Sequence, residues 1–250
     1  MSEAAAAWYA YGVVPASTQP EGTGIGSRPV EVVSEGDVAA LVSAVPADEF
    51  GEASLRERLE DRAWLERTAR EHEDALERAL AATAVIPFRL CTVYESRDHL
   101  REFLAAHSPA LADLLARLDG RIELGVKAYF AEARVETAEP QSGRDYLLRR
   151  QRERDAAEEA ARFRVECAQA SHERLAAAAE EARANPPQPP ELSGRTEEML
   201  LNGAYLVRRD DGRLADAVAE LESLYGPRGV SYEITGPWPP YNFVPPEVVG

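Results

Sequence analysis

His72, Cys91, the glycine-rich stretch 22–27 and the paired carboxylates Asp210-Asp211 are the places where this sequence carries residue types that do chemistry. His72 lies on the apolar face of a helical stretch. A general base needs a titratable partner within hydrogen-bond reach, and no spacing supplies one, so His72 reads as a hydrogen-bonded core histidine. Cys91 sits in an apolar run with Arg89 nearby, and a neighbouring guanidinium lowers a thiol's pKa. A free cysteine is more often buried and inert, which is the expectation here. Gly22-Thr23-Gly24-Ile25-Gly26-Ser27 lacks both a Gly-Lys-Ser and a strand–loop–helix context, so it reads as a flexible loop rather than a phosphate cradle. Asp210-Asp211 lacks the alternating oxygen spacing of a calcium loop and reads as a solvated turn. Cys91 and Cys167 form no zinc motif with the four histidines. No catalytic residue, cofactor site or metal site is therefore expected.

A different signal stands near the end of the chain. Residues 235–243, Thr-Gly-Pro-Trp-Pro-Pro-Tyr-Asn-Phe, hold three prolines and three aromatics. Proline fixes φ, removes a donor and pushes the residue before it towards extended backbone. The segment should be stiff, and stiff aromatics lose little entropy when they dock. Trp238, Tyr241 and Phe243 are candidates for binding a partner, and self-packing against the domain would use the same rings. Arg89, the only charge in residues 84–94, joins them as a partner-binding candidate.

Charge narrows the partners. Lys plus Arg number 28 against 44 Asp plus Glu, a net charge of −16. Phosphate neutralisation dominates nucleic-acid affinity, so nucleic acid is not an expected partner. Nor is an anionic membrane surface. No apolar run approaches the ~18 residues that span a bilayer, so no membrane insertion is expected. The N-terminus has no basic stretch ahead of an apolar one, and the sequence reads as cytoplasmic. The Arg-rich run 149–154 is the one basic patch, most simply an exposed helix face that could receive an acidic partner.

The positioning elements follow from periodicity. Strands are expected over 8–14, 30–34 and 38–45, with a tight turn at 35–37. Ser54 and Glu57 resemble a capping box that opens a helix with Leu65, Ala69, His72, Leu76 and Ala79 on its buried face. Residues 84–94 read as a strand interrupted by Pro87. Two short helices, 96–106 and 109–118, should be split at Pro109. Residues 121–130 alternate as a half-buried strand, with Ile122, Leu124, Val126 and Ala128 on one side and Glu123 and Lys127 on the other. Residues 142–184 are helix-forming, and a helix of that length would exceed ~50 Å, so part of it should project. A Pro-rich linker at 185–190, a strand at 199–207, a helix at 214–224 and a strand at 230–235 complete the chain. The expectation is an α+β protein of two domains, 1–119 and 120–250. Each would be a small, mainly antiparallel sheet with helices, the second in ferredoxin-like element order.

The tail motif resembles the C-terminal signature of the gas vesicle protein GvpL/GvpF family. Trp8-Tyr9-Ala10-Tyr11-Gly12-Val13-Val14 is similar to the family's opening strand. His72 followed by Val85-Ile86-Pro87-Phe88-Arg89 resembles its helix histidine and Pro-x-Arg strand, and Gly125-Val126-Lys127-Ala128-Tyr129 its second-domain strand. The chain departs where the family usually has Phe-Gly and this sequence has Leu90-Cys91, and where it often has Trp in place of Leu124. The resemblance implies a non-enzymatic accessory or minor structural protein of gas vesicles. It would assist shell assembly by contact with the hydrophobic shell protein and other accessory proteins. The competing readings are a small-molecule-binding regulatory module, which needs a pocket around His72 and Arg89, and an enzyme, which needs a titratable pair in a cleft.

Overall fold

The computed structural model describes residues 6–131, 143–189 and 194–246. The chain divides into two compact units, 1–122 with 238–250, and 123–237. The division differs from the expected one, because the residues after the last strand belong with the first unit.

In the first unit, β1 (Ala6–Pro15) is flanked by β3 (Val38–Pro46) and by the short strand β4 (Ile86–Pro87). β2 (Glu31–Glu35) closes a hairpin with β3, and β5 (Val93–Tyr94) also pairs with β1. All these pairings are antiparallel. The β2–β3 turn takes a left-handed residue at Gly36, φ 57°, as a two-residue hairpin loop requires. The register of β1 on β3 slips between Ala10 and Gly12, leaving Tyr11 as a bulge. Tyr9 and Tyr11 are both fully buried beside α3 (Arg62–Ala82).

The predicted capping box is not used. Ser54 lies inside α2 (Glu52–Arg58), which follows the single turn α1 (Ala47–Phe50), and its hydroxyl donates to the Asp48 carbonyl at 2.6 Å. Asp61 caps α3 instead, accepting from the amides of Ala63 and Trp64. The buried face of α3 is Trp64, Thr68, His72, Ala75, Leu76 and Leu80. The expected stripe was right at His72 and Leu76 and one position off elsewhere, because Trp64 and Thr68 carry the packing assigned to Leu65 and Ala69. The two helices expected around Pro109 are one, α4 (Arg97–Leu118), capped by Ser96. Six leucines of α4 are buried, each worth about 1.5–3 kcal/mol, enough to outweigh one missing backbone donor.

The second unit runs strand–helix–strand–strand–helix–strand. Its elements are β6 (Arg121–Phe130), α5 (Gly143–Ala176), β7 (Glu181–Asn185), β8 (Glu198–Arg208), α6 (Arg213–Tyr225) and β9 (Val230–Trp238), with strand order β7-β8-β6-β9. β7 was expected as the end of the long helix. Its Glu-Ala-Arg-Ala-Asn has no strand propensity, yet it pairs antiparallel with β8 from Glu181↔Leu206 to Asn185↔Asn202. Residue 142 and Pro190, bounds of the expected helix and linker, lie outside the described residues. Phe163, Cys167, Ser171 and Leu175 form the buried line of α5, and Leu214, Ala217, Val218 and Leu221 that of α6. Glu123, expected on the polar side of β6, is buried. Together the two antiparallel sheets and their helices make the expected α+β fold.

Candidate functional site

The bulge in β1 and the helix α3 converge on His72. Its Nδ1 lies 2.9 Å from the Tyr9 hydroxyl, which in turn accepts the Cys91 amide at 3.1 Å. The Tyr9 hydroxyl and the neutral imidazole share one proton in this contact, given by the oxygen or by Nδ1 according to the tautomer. Nε2 has no hydrogen-bond partner among the described residues. Burial lowers the His72 pKa to about 4, with the Phe88 backbone acting more weakly the other way. Burial also raises the Tyr9 phenol far above its ordinary value. Tyr11 completes the network, donating to Ser43 Oγ at 2.8 Å and accepting the Ile25 amide at 2.8 Å, while Ser43 donates to the Pro29 carbonyl. Apart from His72 Nε2, these groups satisfy one another within the unit.

The other chemistry-bearing residues are also engaged internally. In the glycine-rich stretch, the Gly26 amide donates to Glu71 Oε2 at 2.9 Å, and a Cβ on Gly24 would stand 1.9 Å from the Tyr11 hydroxyl. The glycine is there for close approach, and the loop's donors serve this unit's own side chains. Asp211 accepts the Arg213 amide at 3.0 Å and its guanidinium, whose hydrogen bond holds the carboxyl below the usual range. It organises the start of α6. Cys167 lies buried 3.8 Å from the Tyr232 hydroxyl, which is 2.7 Å from Ser171 Oγ. No metal-ligand cluster occurs among the described residues.

Cys91 is explained by a turn that periodicity did not show. The Arg89 carbonyl accepts both the amide and the hydroxyl of Thr92, closing a turn with Leu90 and Cys91 at its centre. Cys91 takes φ 65°, the left-handed conformation that glycine adopts freely. The turn breaks the expected strand 84–94 into β4 and β5 and aims the Cys91 amide at Tyr9. Burial pushes the thiol up to about 11, away from the activation that a neighbouring guanidinium would give.

The partner-binding candidates separate. Phe243 is 3 % exposed, and its carbonyl accepts from Arg117 at 2.6 Å. Tyr241 is half-buried and its hydroxyl donates to Glu73 Oε1 at 2.8 Å. The other Glu73 oxygen is buried with no hydrogen-bond partner, and desolvation raises the carboxyl's pKa. Trp238, at the end of β9, stays 37 % exposed, and Arg89 is exposed. The tail's final aromatics thus pack within the first unit.

A cavity of about 240 Å³ in the first unit is lined by Thr18, Glu21, Val30, Leu41, Ala75 and Arg78 among others. It is smaller than the ~300–1,000 Å³ usual for ligand sites and has neither His72 nor Arg89 in its walls.

Sequence comparison supplies what the geometry does not. The family described as "Gas vesicle synthesis protein GvpL/GvpF" matches residues 7–245. The chain belongs to this family. It is 37 % identical over 233 residues to gas vesicle protein L of Streptomyces sp. (strain CB03234), covering 90 % of this chain and 86 % of that protein. To gas vesicle protein F of the same strain it is 28 % identical over 258 residues, covering 94 % and 98 %. The fold is similar to the crystal structure of GvpF from Anabaena sp. PCC7120, with a TM-score of 0.68 over 95 % of each chain at 19 % identity. Gas vesicle relatives and a fold shared with GvpF give this member of the family a gas vesicle related role.

Proposed function

We propose that the protein is a non-enzymatic accessory factor of gas vesicles. It assists assembly of the proteinaceous shell by binding the shell protein and other accessory proteins. Among its named contacts would be Trp238 and Arg89, with Tyr241 and Phe243 holding the segment in place. The observation that carries this reading is the division of side chains. His72 and Cys167 are buried, Cys91 is half-buried, and Gly24 and Ile25 of the glycine-rich loop pack inward, while Trp238 remains 37 % exposed beside a proline-fixed segment. An exposed tryptophan on stiff backbone docks at low entropic cost. The chain's acidity would keep an aggregation-prone complex in solution.

The test is a pull-down with immobilised gas vesicle shell protein, paired with deletion of the gene in a vesicle-forming strain. The expected result is retention of the protein together with fewer or malformed vesicles. No retention and normal vesicles would sink the proposal.

A further inference from the structure

The N-terminal half of α5 is the least packed helix surface among the described residues. From Arg144 to Ala161, every residue whose side chain is described is exposed except the half-buried Arg149 and Ala160. Leu147 and Val165 are 68 % and 67 % exposed, more than any other large apolar side chain among the described residues. They are 18 residues apart, which at 3.6 residues per turn is five whole turns, so they lie on one line of the helix about 27 Å apart. That line points away from Phe163 and Cys167, which α5 buries. Between its ends stand Gln151, Arg154, Glu158 and Ala161. Charge changes sign along it. Residues 143–154 hold five arginines against one Asp and one Glu, and residues 155–166 hold four carboxylates against two arginines.

This pattern is complementary to its own reverse. An antiparallel partner centred on Ala156 sets Leu147 of one copy level with Val165 of the other, and Arg154 level with Glu158. The same pairs recur on the other side of the two-fold axis. We infer that the outer face of α5 pairs antiparallel with α5 of a second copy of this chain, with the Leu147–Val165 and Arg154–Glu158 contacts formed twice. Arg154 and Glu158 lie 3.6 Å apart within one helix and are each 73 % exposed, so exchange to the intermolecular pair costs little. An isologous helix pair of this kind meets the symmetry of a closed dimer.

The test is sedimentation of the full chain over a range of concentrations. Wild type should rise from the 27.4 kDa monomer towards twice that mass. Leu147→Asp with Val165→Asp should raise the dimer dissociation constant at least tenfold while leaving the melting curve, recorded at a concentration where wild type is monomeric, unchanged, since both side chains are exposed. Arg154→Glu alone sets glutamate against glutamate, and Glu158→Arg alone sets arginine against arginine. Each should be monomeric, and an equimolar mixture should recover the dimer, because both crossed pairs are then restored. Wild type that stays monomeric up to ~1 mM overturns the inference, as even about −4 kcal/mol would populate a dimer there. So does a dimer that the variants leave intact, or a mixture that stays monomeric. A monomer that instead binds an added Glu/Ala-rich helical peptide would overturn it in favour of a heterologous acidic partner.

Discussion

α3 and α5 are both long and densely charged, yet the molecule uses them in opposite ways. α3 is capped by Asp61 and buries Trp64, Thr68, His72, Ala75, Leu76 and Leu80. Its polar positions are recruited too, His72 by Tyr9 and Glu73 by Tyr241. α5 buries a line only from Phe163 onward, and its N-terminal half relies on local Arg–Glu pairs such as Arg149–Glu153 and Arg154–Glu158. Such exposed pairs contribute only tenths of a kcal/mol each. Titratable groups on a packed helix therefore report on folding, and charged groups on an unpacked one are left for association.

The largest expected effect is on the packed side. Phe243→Ala should cost about 3–5 kcal/mol of stability in a denaturant titration, because a buried aromatic is removed. Trp238→Ala should cost clearly less, because that side chain keeps 37 % of its surface exposed. Equal losses from the two would erase the distinction between an anchoring and an outward aromatic.

His72 gives the next effect. Its folded pKa, about 4, is below the unfolded value of about 6.5, so between these the unfolded state binds the extra proton. Stability should fall as pH drops from about 6.5 to about 4, by roughly 3 kcal/mol in total from this residue. Glu73 works in the opposite direction, since its pKa is raised and its contribution declines as pH rises above the ordinary carboxylate range. The contribution of His72 is isolated by comparing wild type with His72→Gln, whose stability should change less over that window. An unchanged slope would mean that His72 is not held neutral.

A smaller effect is expected at Cys91. Cys91→Val should cost about 1–3 kcal/mol, since a β-branched residue is badly placed at φ 65°. Cys91→Gly should be neutral or slightly stabilising. Thermal melts of the two variants check both directions, and a Val variant as stable as the Gly variant would contradict the turn. On α5, Arg150→Ala should stay within about 0.5 kcal/mol of wild type, as surface substitutions do.

Much of the fold was legible where periodicity and propensity agree. The strands around residues 8–14, 38–45, 199–207 and 230–235 have a clean apolar pattern, and the structure has β1, β3, β8 and β9 there. β7 was missed because pairing with β8, rather than its own residues, makes it a strand. α4 was split in sequence because Pro109 is a local breaker, whereas its leucines act over the whole helix. The tail's stiffness was visible in its prolines. Which aromatic faced inward was not, because Trp238, Tyr241 and Phe243 are equivalent by type and differ only in what the fold sets beside them. The Cys91 turn was not legible, because a single left-handed residue in an apolar run leaves no periodic signature.

The most direct measurement compares wild type and Trp238→Ala for binding to purified gas vesicle shell protein, with a melting curve recorded on each. Wild type should bind, and the variant should lose binding while its melting temperature falls less than that of Phe243→Ala. Binding that survives in a variant whose melting temperature drops as far as that of Phe243→Ala would contradict this account, placing Trp238 in the core and the docking surface elsewhere.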